Sequence, residues 1–234
     1  MLIKGFQKFT VLDYPGKAAA TVFLFGCNFR CGFCHNKDLV LPECKDNLET
    51  YSEEEILDYL KQNKDFLDGL VITGGEPTVS EKLPDFLKKI KEIGLCIKLD
   101  TNGSNPEMLK KLIDEKLIDF VAMDFKTDFE NYHKVASNLD INKLKESINL
   151  IKNLENYEFR TTVVSGFVVK ENLIKIASFL KKEEANKKFV LQQFVPRNCI
   201  DPKFLKLKRT EEKELKELKE SIKDFFEKIE IRTE

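Results

Sequence analysis

The sequence predicts an α/β protein, a partial, open barrel of six strand–helix repeats. From residue 18 onward, short apolar runs alternate about six times with longer charged stretches, and such alternation is typical of a parallel sheet covered by helices. The chain has 234 residues, which suits six repeats better than an eight-fold barrel of about 250 residues. We expect a single domain over residues 1–234, made of an N-terminal segment (1–17), the partial barrel (18–200) and a C-terminal helix and tail (201–234).

The predicted strands are apolar runs rich in β-branched and aromatic residues. In order they are "AAATVFLFG", "GLVITGG", "GLCIKLDTNG", "DFVAMDFK", "YEFRTTVVSG" and "KFVLQQFVP". The stretches between them place apolar residues three and four apart, which predicts helices. Ser52 with Glu55 predicts a capping box, Asn105-Pro106 a helix start and Gly94 a helix end. A last helix, "TEEKELKELKESIKDFFEKI", precedes the strand-like tail "EIRT".

Charge and hydropathy narrow the classes of partner. The 39 basic and 40 acidic residues leave a formal net charge of −1, without the basic stripe that marks a nucleic-acid-binding face. No apolar run approaches the ~18 residues of a membrane span. The start of the chain, "MLIKGFQKFT", lacks the basic, apolar and small-residue regions that follow one another in a secretory signal. We therefore expect a cytoplasmic protein that binds neither nucleic acid nor membrane.

Three cysteines follow the first predicted strand in C-x3-C-x2-C spacing: Cys27, Cys31 and Cys34, in "CNFRCGFC". One interpretation is a structural zinc site completed by His35 or Cys44, in an interaction or electron-transfer module. The other is a [4Fe–4S] cluster with three thiolate ligands, in which one iron stays open to a ligand that is not protein. Structural zinc sites usually combine two ligand pairs, and no second C-x2-C exists here, so the pattern favours the cluster.

"CNFRCGFC" resembles the signature of radical S-adenosylmethionine enzymes, whose fold is a partial barrel of the radical SAM type. The resemblance implies an oxidoreductase with one [4Fe–4S] cluster per chain, whose open iron binds S-adenosyl-L-methionine. An electron from the cluster then cleaves the cofactor to methionine and a 5′-deoxyadenosyl radical. "TGGEP" (residues 73–77) resembles the glycine motif of this family: Gly74 and Gly75 allow close approach to the backbone, and Glu76 can accept a hydrogen bond from an ammonium group.

The longer segment "GFQKFTVLDYPGKAAATVFLFGCNFRCGFCHN" resembles the activating enzymes of glycyl-radical proteins, above all that of the anaerobic ribonucleoside-triphosphate reductase. This resemblance implies that the radical removes a hydrogen atom from a glycine of the partner enzyme, and that flavodoxin or ferredoxin delivers the electron. It also implies that the cofactor is contacted by Asn36, Asp100, Asp124, Lys126 and Arg160. The alternatives are activation of pyruvate formate-lyase or another glycyl-radical enzyme, and a small-molecule substrate, as in the deazaguanine synthase of queuosine biosynthesis.

At two points the site differs from what the resemblance alone implies. Asp100 and Asp124 would repel the cofactor carboxylate, which suggests a monovalent cation held by both acids and by backbone carbonyls near Thr101. In addition, "LQQFVP" lacks the strand-six histidine of pyruvate formate-lyase activases; Gln192 and Gln193 are the candidates to replace it, and the sequence alone leaves open whether either does. The remaining cysteines, Cys44, Cys96 and Cys199, are too scattered to hold a second cluster.

Overall fold

The computed structural model of the protein describes residues 1–136 and 139–233, in which strands and helices alternate. The strands are β1 (Ile3–Thr10), β2 (Ala19–Leu24), β3 (Gly69–Gly74), β4 (Cys96–Thr101), β5 (Phe120–Asp124), β6 (Tyr157–Val163), β7 (Lys188–Gln193) and β8 (Lys228–Arg232). The α-helices are α1 (Lys37–Val40), α2 (Glu53–Gln62), α3 (Leu83–Ile93), α4 (Pro106–Asp114), α5 (Ile141–Ile151), α6 (Lys170–Lys182), α7 (Pro202–Leu205) and α8 (Glu212–Ile222). The strands follow one another in chain order in an eight-stranded sheet.

The chain forms two compact units. The first comprises Met1–Asn28, Asn36–Thr101 and Asn105–Val121, and the second comprises Phe29–His35, Asn102–Ser104 and Ala122–Glu234. In the first unit β2, β3 and β4 are parallel, while β1 pairs with β2 in the antiparallel direction. Because Leu24 pairs with Gly74 in register, β2 and β3 end at the same level.

Helix boundaries in the first unit follow local capping chemistry, as predicted. The Ser52 hydroxyl accepts a hydrogen bond from the Glu55 N–H (3.1 Å) at the start of α2, and the Asn105 side chain accepts one from the Met108 N–H (3.2 Å) at the start of α4. Gly94 ends α3 with a φ of 94°, a left-handed conformation that glycine adopts without steric cost. The predicted helix start at Asn105-Pro106 and the predicted helix end at Gly94 are confirmed, and of the predicted capping box the structure shows the bond from the Glu55 N–H to Ser52.

The "DYPGK" segment, Asp13–Lys17, makes the turn that leads into β2. The Asp13 carboxylate accepts a hydrogen bond from the Thr21 hydroxyl at 2.9 Å, and the Lys17 N–H donates to the Tyr14 carbonyl at 3.2 Å. The Tyr14 ring is buried beside Ala19 and Val71. This segment therefore lies at the amino end of β2, opposite the end from which the cysteine motif emerges.

In the second unit β6, β7 and β8 are parallel, so the predicted strand-like tail belongs to the sheet. The fully buried Glu158 carboxylate on β6 anchors β8, because Arg232 donates to both of its oxygens at 2.6 and 2.7 Å. Lys188 adds a third contact at 3.0 Å. Buried carboxylates need such partners, since leaving one unpaired costs several kcal/mol. Within the described residues, the helices lack the length and apolar character needed to cross a membrane.

Candidate active site

The "TGGEP" motif lies where β3 ends, in the first unit, and it packs on the chain that leaves β2. The Gly75 N–H donates to the Leu24 carbonyl and the Glu76 N–H donates to the Gly26 carbonyl, both at 2.8 Å. A Cβ on Gly75 would lie 2.6 Å from the Gly26 carbonyl carbon and closer still to its oxygen. A Cβ on Gly74, whose φ is 112°, would lie 2.5 Å from the Leu24 nitrogen. Both glycines are therefore required for the close approach of two protein segments, immediately before Cys27.

Glu76 is a buried carboxylate with a fixed orientation. The residue is only 2% exposed. Its Oε1 accepts hydrogen bonds from the Thr78 N–H (3.1 Å), the Thr78 hydroxyl (2.6 Å) and the Thr101 hydroxyl (2.7 Å). Such a set of donors stabilises the ionised form of a carboxyl group. The sequence identified Glu76 as an acceptor, but it did not identify Thr78 and Thr101 as the residues that orient it.

Asp100, near the end of β4, forms an ion pair with Lys98 on the same strand. The Lys98 side chain is 1% exposed, and the Asp100 side chain is 14% exposed. Sequence reasoning missed Lys98, although a lysine inside the apolar run "LCIKLD" is unusual enough to mark it. A cation was expected at Asp100 to offset its charge. The ammonium group of Lys98 gives Asp100 a positive partner that belongs to the protein itself.

In the second unit, Asp124 joins Lys126 and Arg160 in one charged group. Arg160 Nε donates to one carboxylate oxygen of Asp124 at 2.8 Å, and Lys126 Nζ donates to the other at 2.7 Å. Burial by itself would raise the pKa of Asp124, but the charges of Arg160 and Lys126 outweigh it and hold that pKa well below its usual range. The group therefore carries one net positive charge.

Cys31 lies buried near this charged group. Burial raises the pKa of the Cys31 thiol to about 11, and the nearby Lys126 ammonium opposes this rise whereas the neighbouring Cys34 adds to it. The Cys34 N–H donates to the Cys31 carbonyl at 3.0 Å, which closes a tight turn between the two. Cys31 and Cys34 belong to the second unit, and Cys27 belongs to the first.

The donor set of the motif suits an iron–sulfur cluster. All six cysteines of the chain are among the described residues, and none of them is in a disulfide there. In residues 1–136 and 139–233, no group of three or more His, Cys, Asp or Glu side chains is arranged to hold a metal ion. A cluster does not demand such convergence on one ion, because each thiolate binds a different iron.

Within the second unit, the Cys31–Cys34 loop contacts residues 198–204. We call this segment the strap. The Asp201 N–H donates to the Gly32 carbonyl at 2.9 Å, and the buried Cys199 thiol lies 3.9 Å from the Phe33 carbonyl oxygen. A Cβ on Gly32 would lie 2.6 Å from the Phe204 ring. The sequence did not reveal the strap, and these contacts assign Cys199 a packing role there.

The remaining predicted residues are Asn36, Gln192 and Gln193. Asn36 precedes α1, and its carbonyl accepts a hydrogen bond from the Leu39 N–H at 2.9 Å. The Gln193 side chain donates to the Thr210 carbonyl and accepts from Arg209, both at 2.6 Å. Gln192 is half-buried at the end of β7. Gln193 is thus bound to its own unit through both ends of its amide group.

Comparison with known proteins shows which family the chain belongs to. The model of the Radical SAM superfamily matches residues 21–182. The chain belongs to the radical SAM superfamily. A Methanocaldococcus jannaschii protein, MJ1227, named as a candidate glycyl-radical enzyme activating enzyme, is 36% identical over 239 residues, which cover 99% of this chain and 96% of that protein. The pyruvate formate-lyase-activating enzyme of Clostridium pasteurianum is 28% identical over 190 residues, 67% of this chain and 78% of that enzyme.

The predicted fold class is confirmed by solved radical SAM structures. Streptococcus suis SuiB bound to S-adenosylmethionine matches with a TM-score of 0.64 at 16% identity, over 92% of this chain and 46% of SuiB. This chain therefore spans about half the length of that protein. As a radical SAM enzyme related to glycyl-radical activating enzymes, it belongs to a family that uses S-adenosylmethionine and a [4Fe–4S] cluster.

Proposed function

We propose that this chain is a glycyl-radical-generating activating enzyme whose partner is an anaerobic ribonucleoside-triphosphate reductase. The observation that carries the proposal is a half-buried lysine, Lys126, held by Asp124 next to the motif cysteine Cys31. A fixed positive charge beside a thiol suits a site that binds an anionic group next to a cluster. The similarity to MJ1227 over 99% of the chain supports the activase class.

In this proposal Cys27, Cys31 and Cys34 hold one [4Fe–4S] cluster. When bound, the cluster and S-adenosylmethionine supply a one-electron cleavage that yields methionine and, with the hydrogen atom taken from a glycine of the partner, 5′-deoxyadenosine. Only three further cysteines occur in the chain, scattered in sequence, so a separate flavodoxin or ferredoxin provides the electron.

The protein's own residues orient the cofactor. In this proposal Glu76, whose Oε1 is fixed by three hydrogen bonds, accepts from the methionine ammonium group, with the glycines Gly74 and Gly75 beside it. Lys126 and Arg160 carry the positive charge that a carboxylate requires, and Asp124 fixes both. Asp100 and Asn36 complete the proposed set of cofactor contacts.

The test is an anaerobic activation assay. The protein is reconstituted with iron and sulfide, reduced, and mixed with S-adenosylmethionine and purified anaerobic ribonucleotide reductase. We expect a glycyl-radical doublet in the electron paramagnetic resonance spectrum, together with 5′-deoxyadenosine. Both signals should vanish in Cys31→Ala and persist in Cys44→Ala, a matched change at a half-buried cysteine outside the motif.

Each alternative outcome identifies a different error. A doublet obtained with pyruvate formate-lyase but not with the reductase would replace the partner and keep the activase. Deoxyadenosine without a doublet on either protein would point to a small-molecule substrate. A protein that retains no iron and forms no deoxyadenosine would contradict the proposed enzyme.

A further inference from the structure

We infer that the Lys98 ammonium group is the permanent counter-cation of Asp100, so that S-adenosylmethionine binding at this carboxylate needs no monovalent metal ion. The inference rests on the proposed function, because it assigns Asp100 to the cofactor site. It concerns Lys98 as a positioning residue that acts through Asp100.

The first argument is the burial of Lys98. Lysine is almost never fully buried unless it is paired, and an unpaired charge in the interior costs several kcal/mol. The Lys98 side chain is 1% exposed and its Nζ contacts Oδ1 of Asp100. The same Nζ lies 6.0 Å from the centroid of the Phe120 ring, within range of a cation–π interaction. The lysine is therefore held as an ammonium ion in one position.

The second argument is the geometry of β4. Side chains two residues apart in a strand point to the same face, so Lys98 and Asp100 lie in line along β4. The Asp100 side chain is the more exposed of the two, at 14%. Asp100 is thus near the end of the strand, where α/β proteins bind ligands, and Lys98 supports it from the interior.

The third argument is charge. The Lys98 ammonium group and the Asp100 carboxylate are in contact and together carry no net charge. A sodium or potassium ion at Asp100 would lie a few ångströms from the Lys98 ammonium and would be repelled by it. A covalently attached ammonium also remains in place whatever the salt composition of the solution.

The experiment measures S-adenosylmethionine affinity by anaerobic equilibrium dialysis of the reconstituted protein. Binding is compared in tetramethylammonium, potassium and sodium chloride at one ionic strength. We expect the affinity of the wild-type protein to agree within about twofold across the three salts. Lys98→Met should bind about tenfold more weakly in tetramethylammonium, the loss of one charge-assisted contact, and potassium or sodium should restore part of the affinity.

Lys91→Met is the matched control, because Lys91 pairs with Asp119 (2.9 Å) in the same unit and at a partly exposed position. It should bind the cofactor as the wild type does in all three salts. Lys98→Arg keeps the positive charge and should remain insensitive to the salt. Thermal unfolding of each variant identifies any that does not fold.

The wild-type protein alone can overturn the inference, so it stays testable even if Lys98→Met does not fold. Severalfold tighter binding in potassium or sodium than in tetramethylammonium would contradict it and leave the proposed function intact. So would unchanged affinity of a folded Lys98→Met variant in tetramethylammonium. An iron-loaded wild-type protein that binds no S-adenosylmethionine in any salt would contradict both the inference and the proposed function.

Discussion

Replacing Gly75 by alanine should destabilise the protein and displace the chain next to Cys27. The new Cβ would lie 2.6 Å from the Gly26 carbonyl carbon, and relief of this overlap requires the two to separate by roughly 1 Å. The carbonyl carbon is a backbone atom and the position of the Cβ is fixed by the backbone, so a side-chain rotation cannot relieve the overlap. The hydrogen bond from Glu76 N–H to the Gly26 carbonyl, now 2.8 Å, would be lost in the process.

The size of the effect follows from these two terms. Overpacking of a well-packed interior costs about 1–3 kcal/mol, and the lost hydrogen bond adds about 1 kcal/mol. We therefore expect the free energy of unfolding to fall by about 3 kcal/mol, which lowers Tm by about 10 °C for a chain of this size. Displacement of Gly26 should also reduce the iron retained after reconstitution, because Cys27 is the next residue.

Thermal unfolding of the iron-free protein and iron analysis after gel filtration are the two measurements. Gly94→Ala is the control, since its φ of 94° also disfavours alanine but nothing lies within 4 Å of the added Cβ. It should cost only about 1 kcal/mol and keep its iron. If Gly75→Ala matched Gly94→Ala in both stability and iron content, the packing argument would be refuted.

Three further changes test other parts of the structure. Gly32→Ala should lower Tm and iron content through its 2.6 Å contact with Phe204, and adding Phe204→Ala should recover much of the iron content; no recovery would contradict the strap. Because the pKa of Asp124 is lowered in the folded state, the wild-type protein should lose stability as pH falls below about 4, and urea titrations should find a shallower loss in Asp124→Asn. Asp13→Ala, which removes a 2.9 Å hydrogen bond from Thr21, should cost about 1 kcal/mol and leave cofactor affinity unchanged in dialysis.

Local chemistry explains why much of the fold could be read from the sequence. Ser52, Asn105 and Gly94 each act within three residues of the helix end that they define, so a short window contains the whole signal. The strand–helix alternation likewise predicts the parallel order of β2 to β4. The antiparallel strand β1 escaped prediction because "IKGFQKFT" mixes lysine, glycine and glutamine with apolar residues and resembles an irregular segment.

The supporting residues of the site depend on contacts between distant parts of the chain. Glu76 is oriented by Thr101, 25 residues away in sequence, and Gly32 meets the strap more than 160 residues later. No periodicity or spacing rule connects such positions. Lys98 is different, because its place inside an apolar strand could have raised the question of what neutralises it, and the structure answers with Asp100.

The position of "DYPGK" in the structure changes the functional interpretation of that segment. In sequence it favours an activase over an enzyme with a small-molecule substrate, yet in the structure Asp13 and Tyr14 stabilise the turn at the amino end of β2. Chemistry in parallel α/β folds takes place at the opposite, carboxyl ends of the strands. The segment therefore stabilises the N-terminal hairpin of this chain, and residues near the carboxyl ends, such as Asp100, are where differences in cofactor and substrate handling should be sought.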